Sequence, residues 1–112
     1  MKLSKAQIRA IEDAKRTIAK AREFDTWEEY VADNNSYCVG KGGVEYVKAH
    51  REDFQWVEKY WERERQGDFL SHAGKNTIEA LVRLGIFSKP EYSEHRKQGV
   101  LDWVHFNEDW EA

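Results

Sequence analysis

Four histidines, one cysteine and the Gly74-Lys75 pair have the widest chemical reach in this chain, and their spacing decides what they can do. His50, His72, His95 and His105 stand singly. None belongs to a His-Glu-x-x-His segment, which would put two imidazoles on one helical face for zinc. With Cys38 the only thiol, a thiolate zinc site has no ligand set. Cys38 beside a histidine brought near by folding has the parts of an activated nucleophile, yet a lone thiol between Tyr37 and Val39 better fits a buried space-filler. Gly74-Lys75-Asn76-Thr77 has the ending of a phosphate-binding loop, but that loop needs glycine where Phe69 stands and Ser or Thr where Asn76 stands. His50 with Asp53 reads as an exposed i,i+3 pair, and the 21 acidic residues are spread too evenly to single out two for acid–base work. The expectation is a non-enzymatic protein with neither metal nor cofactor.

Recognition chemistry has better candidates. Residues 70–100 carry five basic and three acidic side chains, whereas residues 101–112 carry four acids and no base, so an acidic tail sets the overall charge of −3. Within the basic stretch, Lys75, Asn76, Thr77 and Arg83 fall in one short helical pattern, and Lys89, His95, Arg96 and Lys97 cluster in a turn. Asn and Arg have the donor and acceptor geometry for base edges, and Lys, Arg and Thr suit phosphate. The plainer reading is that Asn76 caps the helix while Lys75 and Arg83 solvate it. Among the aromatic residues, Trp56, Tyr60 and Trp61 suit either a core or a partner's pocket. Trp110, flanked by Glu108, Asp109 and Glu111, is an exposed anchor or docks the terminus back onto the domain.

The elements that must position these residues follow from periodicity and punctuation. A length of 112 residues suits one domain with one core, and 40% hydrophobic with 35% charged residues is a folding composition. Ser4 and Gln7 have the form of a capping box before Ile8, Ile11, Ala14 and Ile18, which predicts a helix over about 4–23 with one narrow apolar stripe. Thr26 and Glu29 repeat the pattern, giving a second helix over about 26–33. Asn34, Asn35 and Ser36 open a loop that runs through Gly43. Val44, Val47, Phe54, Val57 and Trp61 then trace a third helix over about 44–66, broken near His50 and ended at Gly67. Residues 76–84 form a compact helix stopped by Gly85. Ile86-Phe87 begins an extended segment that Pro90 confines to a sheet edge. Ser93–Gly99 turns the chain, and Val100–Phe106 returns as a strand.

The fold class is α+β: three N-terminal helices over 1–67, a helix plus β-hairpin over 68–106, and an acidic tail over 107–112. No stretch approaches the roughly 20 apolar residues of a membrane span, no apolar signal segment follows Lys2, Lys5 and Arg9, and one cysteine asks for no oxidising compartment. These readings place the protein in the cytoplasm, without a membrane partner.

The run Thr77-Ile78, Ala80-Leu81 and Leu84-Gly85-Ile86, followed by a basic turn and the strand Val100–Phe106, resembles the second half of a winged helix-turn-helix domain over about a third of the chain. That resemblance implies that the 76–84 helix enters the DNA major groove and that the hairpin touches the backbone or minor groove. It assigns base contacts to Asn76 and Arg83 and phosphate contacts to Lys75, Thr77, Arg96 and Lys97, with Lys89 also on the nucleic-acid-binding surface, in a small regulator of double-stranded DNA. In general style the chain also resembles small phage and mobile-element proteins. This implies a second reading, an acidic protein-binding inhibitor or adaptor of the anti-CRISPR kind, with Trp56, Tyr60, Trp110, Glu108 and Asp109 meeting a host protein. Pairing of the first and third helices in a C2 homodimer is compatible with either.

Overall fold

The computed structural model describes residues 2–34, 36–92 and 102–111. Its elements are α1 (Lys5–Arg22), α2 (Trp27–Asn34), α3 (Ser36–Gly40), α4 (Val44–Ala49), α5 (Arg51–Arg65), β1 (Asp68–Ser71), α6 (Lys75–Arg83), β2 (Phe87–Glu91) and β3 (Asp102–Phe106), with a final 3₁₀ turn at Glu108–Glu111. The fold is α+β. Five helices precede the first strand where the sequence predicts three. One reason is α3, which occupies part of the expected loop. The other is the break at His50. Its N–H donates to the carbonyls of Tyr46 and Val47, and its ring stacks on Tyr46 at 4.2 Å, so α4 closes before α5 begins.

Buried side chains gather in two clusters rather than the one core expected from length, and the chain divides into two compact units. Residues 19–66 form a helical unit; residues 1–18 with 67–112 form a mixed unit. No helix among the described residues is long and apolar enough to cross a membrane.

In the helical unit, Ala21, Trp27, Val31, Ala32, Cys38, Val47 and Trp61 make the core. Thr26 starts α2 by accepting the Glu29 N–H on its hydroxyl at 3.3 Å. The Trp61 indole donates to the Ala21 carbonyl at 3.0 Å, and Arg22 Nε donates to the Arg65 carbonyl, which holds the end of α1 to the end of α5. Arg65 lies over the Trp61 ring at 4.6 Å, a cation–π contact that covers the indole's outer side. Cys38 is fully buried, as its space-filling role requires.

The mixed unit begins with the capping box at Ser4: its hydroxyl accepts the Gln7 N–H at 3.1 Å and Gln7 Oε1 accepts the Ser4 N–H at 2.9 Å. Ala10, Ile11, Ala14 and Ile18 bury one stripe, while Ile8, expected on that stripe, is 43% exposed. The sheet is antiparallel in the order β1-β3-β2, with Phe69 opposite Val104 and Phe87 opposite Phe106. Alternation along the strands turns Phe69, Val104, Phe106 and Phe87 inward against Ile78, Leu81 and Ile86. Phe87 stands edge-on to both Phe69 and Phe106, at 5.3 and 6.2 Å. β2 lies at a sheet edge, the place Pro90 demands. β1 was not foreseen from the sequence, and β3 starts at Asp102 among the described residues.

Candidate nucleic-acid interface

Helix α6 carries the first group of candidate contacts, and both of its ends are well defined. Ser71 Oγ accepts the Ala73 N–H at 3.1 Å to shape the entry from β1, and Gly74 in extended conformation is the N-cap. Asn76 is therefore not the cap, contrary to the plainer sequence reading; it is the second residue of the helix and is exposed. At the other end Gly85, at φ 77°, donates its N–H to Val82 while Ile86 donates to Leu81. This is the Schellman closure, with the fully buried Leu81 and Ile86 supplying its apolar contact. Leu84 is the C-cap residue and is 44% exposed.

Burial of Ile78 and Leu81 fixes which side of α6 meets solvent. At 100° per residue the opposite side is centred on Asn76 and Arg83, with Glu79 beside them and Lys75 a quarter-turn from the centre; Lys75, Asn76 and Arg83 are exposed. Lys75 is poised by two contacts, Glu79 at 3.8 Å and the face of the Tyr92 ring at 5.2 Å. Thr77 does not share the outward side: it is half-buried and lines a cleft of about 220 Å³ with Ala6, Arg9, Ala10, His72 and Gly74.

The second group belongs to the hairpin. Lys89 is exposed at φ 49°, and the β2–β3 register shifts between Ser88 and Glu91, so an irregular edge carries this cation outward immediately before Pro90. His95, Arg96 and Lys97 lie outside the described residues. The hairpin is tied to α6 by Asn107, a residue the sequence reading passed over. Its backbone N–H donates to Ile86, its side-chain amide donates to the Gly85 carbonyl at 2.8 Å, and its Oδ1 accepts the Ser88 hydroxyl at 3.0 Å. Asp68 and His105, opposite each other on β1 and β3, are joined at 2.9 Å.

The residues assigned to a protein partner fall in different units. Trp56 is 61% exposed on α5 in the helical unit, with half-buried Tyr60 edge-on to it at 5.4 Å; Trp61 is core. Glu108 and Asp109 are exposed in the mixed unit. Trp110 docks back rather than standing free: it packs half-buried against the mixed core, with the Lys15 ammonium 5.9 Å from its ring.

One buried polar pair had no sequence signal. The Tyr30 hydroxyl donates to Glu64 Oε1 at 2.9 Å inside the helical unit, and Glu64 is only 8% exposed. Burial pushes the Glu64 carboxyl above its usual range, opposed by the Tyr30 hydrogen bond. The Tyr30 phenol is also raised, first by burial, then by the Glu64 charge and by the bond itself. No group of three or more His, Cys, Asp or Glu among the described residues is placed to hold a metal ion. No protein-family model, curated protein or solved structure matches the chain.

Proposed function

We propose that the mixed unit is a non-enzymatic, winged-helix-type DNA-binding module in a small regulator, with α6 facing the major groove and the β2–β3 hairpin serving as the wing. The observation that carries this reading is the outward side of α6, where Lys75, Asn76 and Arg83 are exposed above a buried Ile78–Leu81 side, directly followed by a hairpin that presents Lys89. A helix of nine residues is about 13 Å long, comparable to the width of the groove. The β1-β3-β2 order pairs β2 directly with β3, as the proposed wing requires, and α6 lies between β1 and β2 along the chain. α6 follows β1 after three residues, so the supporting helix of this module is α1, whose Ala10, Ile11 and Ala14 share the core with Ile78 and Leu81.

In this reading Asn76 and Arg83 contact base edges. Lys75, Lys89, Arg96 and Lys97 contact phosphates, and Thr77 sits at the rim of the cleft behind them. Four phosphate contacts correspond to a slope of about −3.6 in log affinity against log salt concentration. The net charge of −3 and the exposed Glu108 and Asp109 keep background binding low, which leaves affinity dependent on the few cations of this surface.

The test is fluorescence anisotropy with mixed double-stranded DNA at several salt concentrations, with a variant carrying Gln at Lys75, Arg83, Arg96 and Lys97 alongside. Binding that weakens steeply with salt and is lost in the variant is the expected result. A wild-type chain that binds no DNA at low salt overturns the reading. The alternative, an acidic protein-binding inhibitor or adaptor, retains Trp56 as an anchor but has lost Trp110, which packs into its own unit. Truncation after Phe106 that releases a captured host protein is the result that favours it.

A further inference from the structure

The exposed side of α5 is the largest aromatic feature of the helical unit that its own core does not use. Trp56 is 61% exposed at the middle of the helix, held by the edge of Tyr60. A large apolar side chain left in water at the centre of a charged helix marks a contact surface. The charges around it indicate what it contacts. At 100° per residue, Glu52 and Lys59 lie on one flank of Trp56, four residues before it and three after. Asp53 and Tyr60 lie on the other flank, three before and four after. Glu52, Asp53 and Lys59 are exposed, and among the described residues none of their side chains has a hydrogen bond or ion pair within the chain.

We propose that the chain forms a twofold homodimer in which α5 pairs antiparallel with α5 of a second copy, centred on Trp56. A twofold axis across the helix near Trp56 brings each flanking residue opposite the one about as far to the other side of Trp56 on the same flank, three residues against four. Lys59 then meets Glu52 of the second copy, Tyr60 meets Asp53, and the two Trp56 rings meet at the centre; each flanking pair occurs twice. Parallel pairing would exchange the flanks and set Glu52 against Asp53, so the charge order selects one direction. It also selects the partner. A basic protein would face Lys59 and an acidic one Glu52 and Asp53, whereas a second copy satisfies both signs at once. The contact belongs to the helical unit and uses none of the proposed DNA contacts, so it stands or falls independently of DNA binding.

Sedimentation equilibrium of the full chain from about 1 µM to 1 mM covers the range in which a single helix pair associates. The expected result is a reversible monomer–dimer equilibrium. Trp56→Ala raises the dimer Kd at least about 30-fold, as loss of a central aromatic anchor does. Glu52→Lys and Lys59→Glu each weaken the dimer, and the double swap E52K/K59E restores it to within about threefold, because the swap re-creates the opposite-charge pair. All three positions are exposed, and circular dichroism verifies that each variant keeps its helices. A chain monomeric throughout, a dimer indifferent to Trp56→Ala, or a double swap that recovers nothing overturns the proposal. So does a chain that stays monomeric while its Trp56 is protected by a host protein.

Discussion

The two units solve the problem of burial differently. Of the eight largest fully buried side chains among the described residues, Phe69, Phe87, Ile78, Leu81, Ile86 and Val104 belong to the mixed unit and only Val47 and Cys38 to the helical one. The mixed unit is sealed by interlocking apolar bodies on a sheet. The helical unit is held by fewer large apolar groups and by specific polar contacts: Trp61 to the Ala21 carbonyl, Arg22 to the Arg65 carbonyl, and Tyr30 to Glu64. Stability in the first is a matter of volume, and in the second of donors meeting acceptors. The partly buried Tyr30–Glu64 pair belongs to the second.

The sharpest way to break this contrast is to remove volume. Phe87→Ala deletes the ring between Phe69 and Phe106 and should cost about 3–5 kcal/mol. Val47→Ala in the helical unit removes two buried carbons at about 0.8 kcal/mol each. Urea titrations with the slope held constant compare the two; equal midpoint shifts would erase the distinction.

Removing a donor probes the other side. Tyr30→Phe leaves the Glu64 carboxylate buried without its hydroxyl, an expected loss of about 1.5–3 kcal/mol, the range for a hydrogen bond to a charged group. The same pair sets a pH dependence whose sign follows from burial. The Glu64 carboxyl holds its proton to higher pH in the folded chain than in the unfolded one. Its contribution to stability is thus complete below the ordinary value of 4.5 and declines as pH rises through the raised folded value. Glu64→Gln, which keeps an acceptor for Tyr30, should flatten that part of the stability profile, whereas Phe87→Ala should shift the profile without changing its shape. Thermal melts across the acidic range decide this.

The smallest effect belongs to the start of the mixed unit. Ser4→Ala removes one half of the capping box and should cost about 1 kcal/mol, visible as earlier fraying of α1 in amide hydrogen exchange.

What was legible in the sequence was local. The capping residues Ser4 and Thr26, the break near His50, Gly85 after α6 and Pro90 at a sheet edge each act within a few residues of themselves, and each element they mark is present close to its expected bounds. β1 escaped because Asp68–Ser71 is four residues long and becomes a strand only through pairing with β3, more than thirty residues later. Tyr30 and Glu64 are 34 residues apart, and nothing in either neighbourhood announces the other. α3 was hidden because the run Asn34-Asn35-Ser36 reads as a turn in the sequence. Of the proposed DNA contacts, Lys75, Asn76 and Arg83 stand outward on α6 as helical periodicity requires. Thr77 does not, because a residue at the edge of an apolar stripe is assigned to core or solvent only by what packs beside it, here α1.

Asn107 ties these local features together. One amide holds the last carbonyl turn of α6 and the start of β2, while its backbone extends from β3. Mechanically, helix and hairpin form a bracket that the shared core fills and Asn107 pins at its corner. Loosening residue 107 is expected to let the angle between the arms drift. The spacing from Arg83 to Lys89 is in effect a calibrated length, and Asn107 is where it is set.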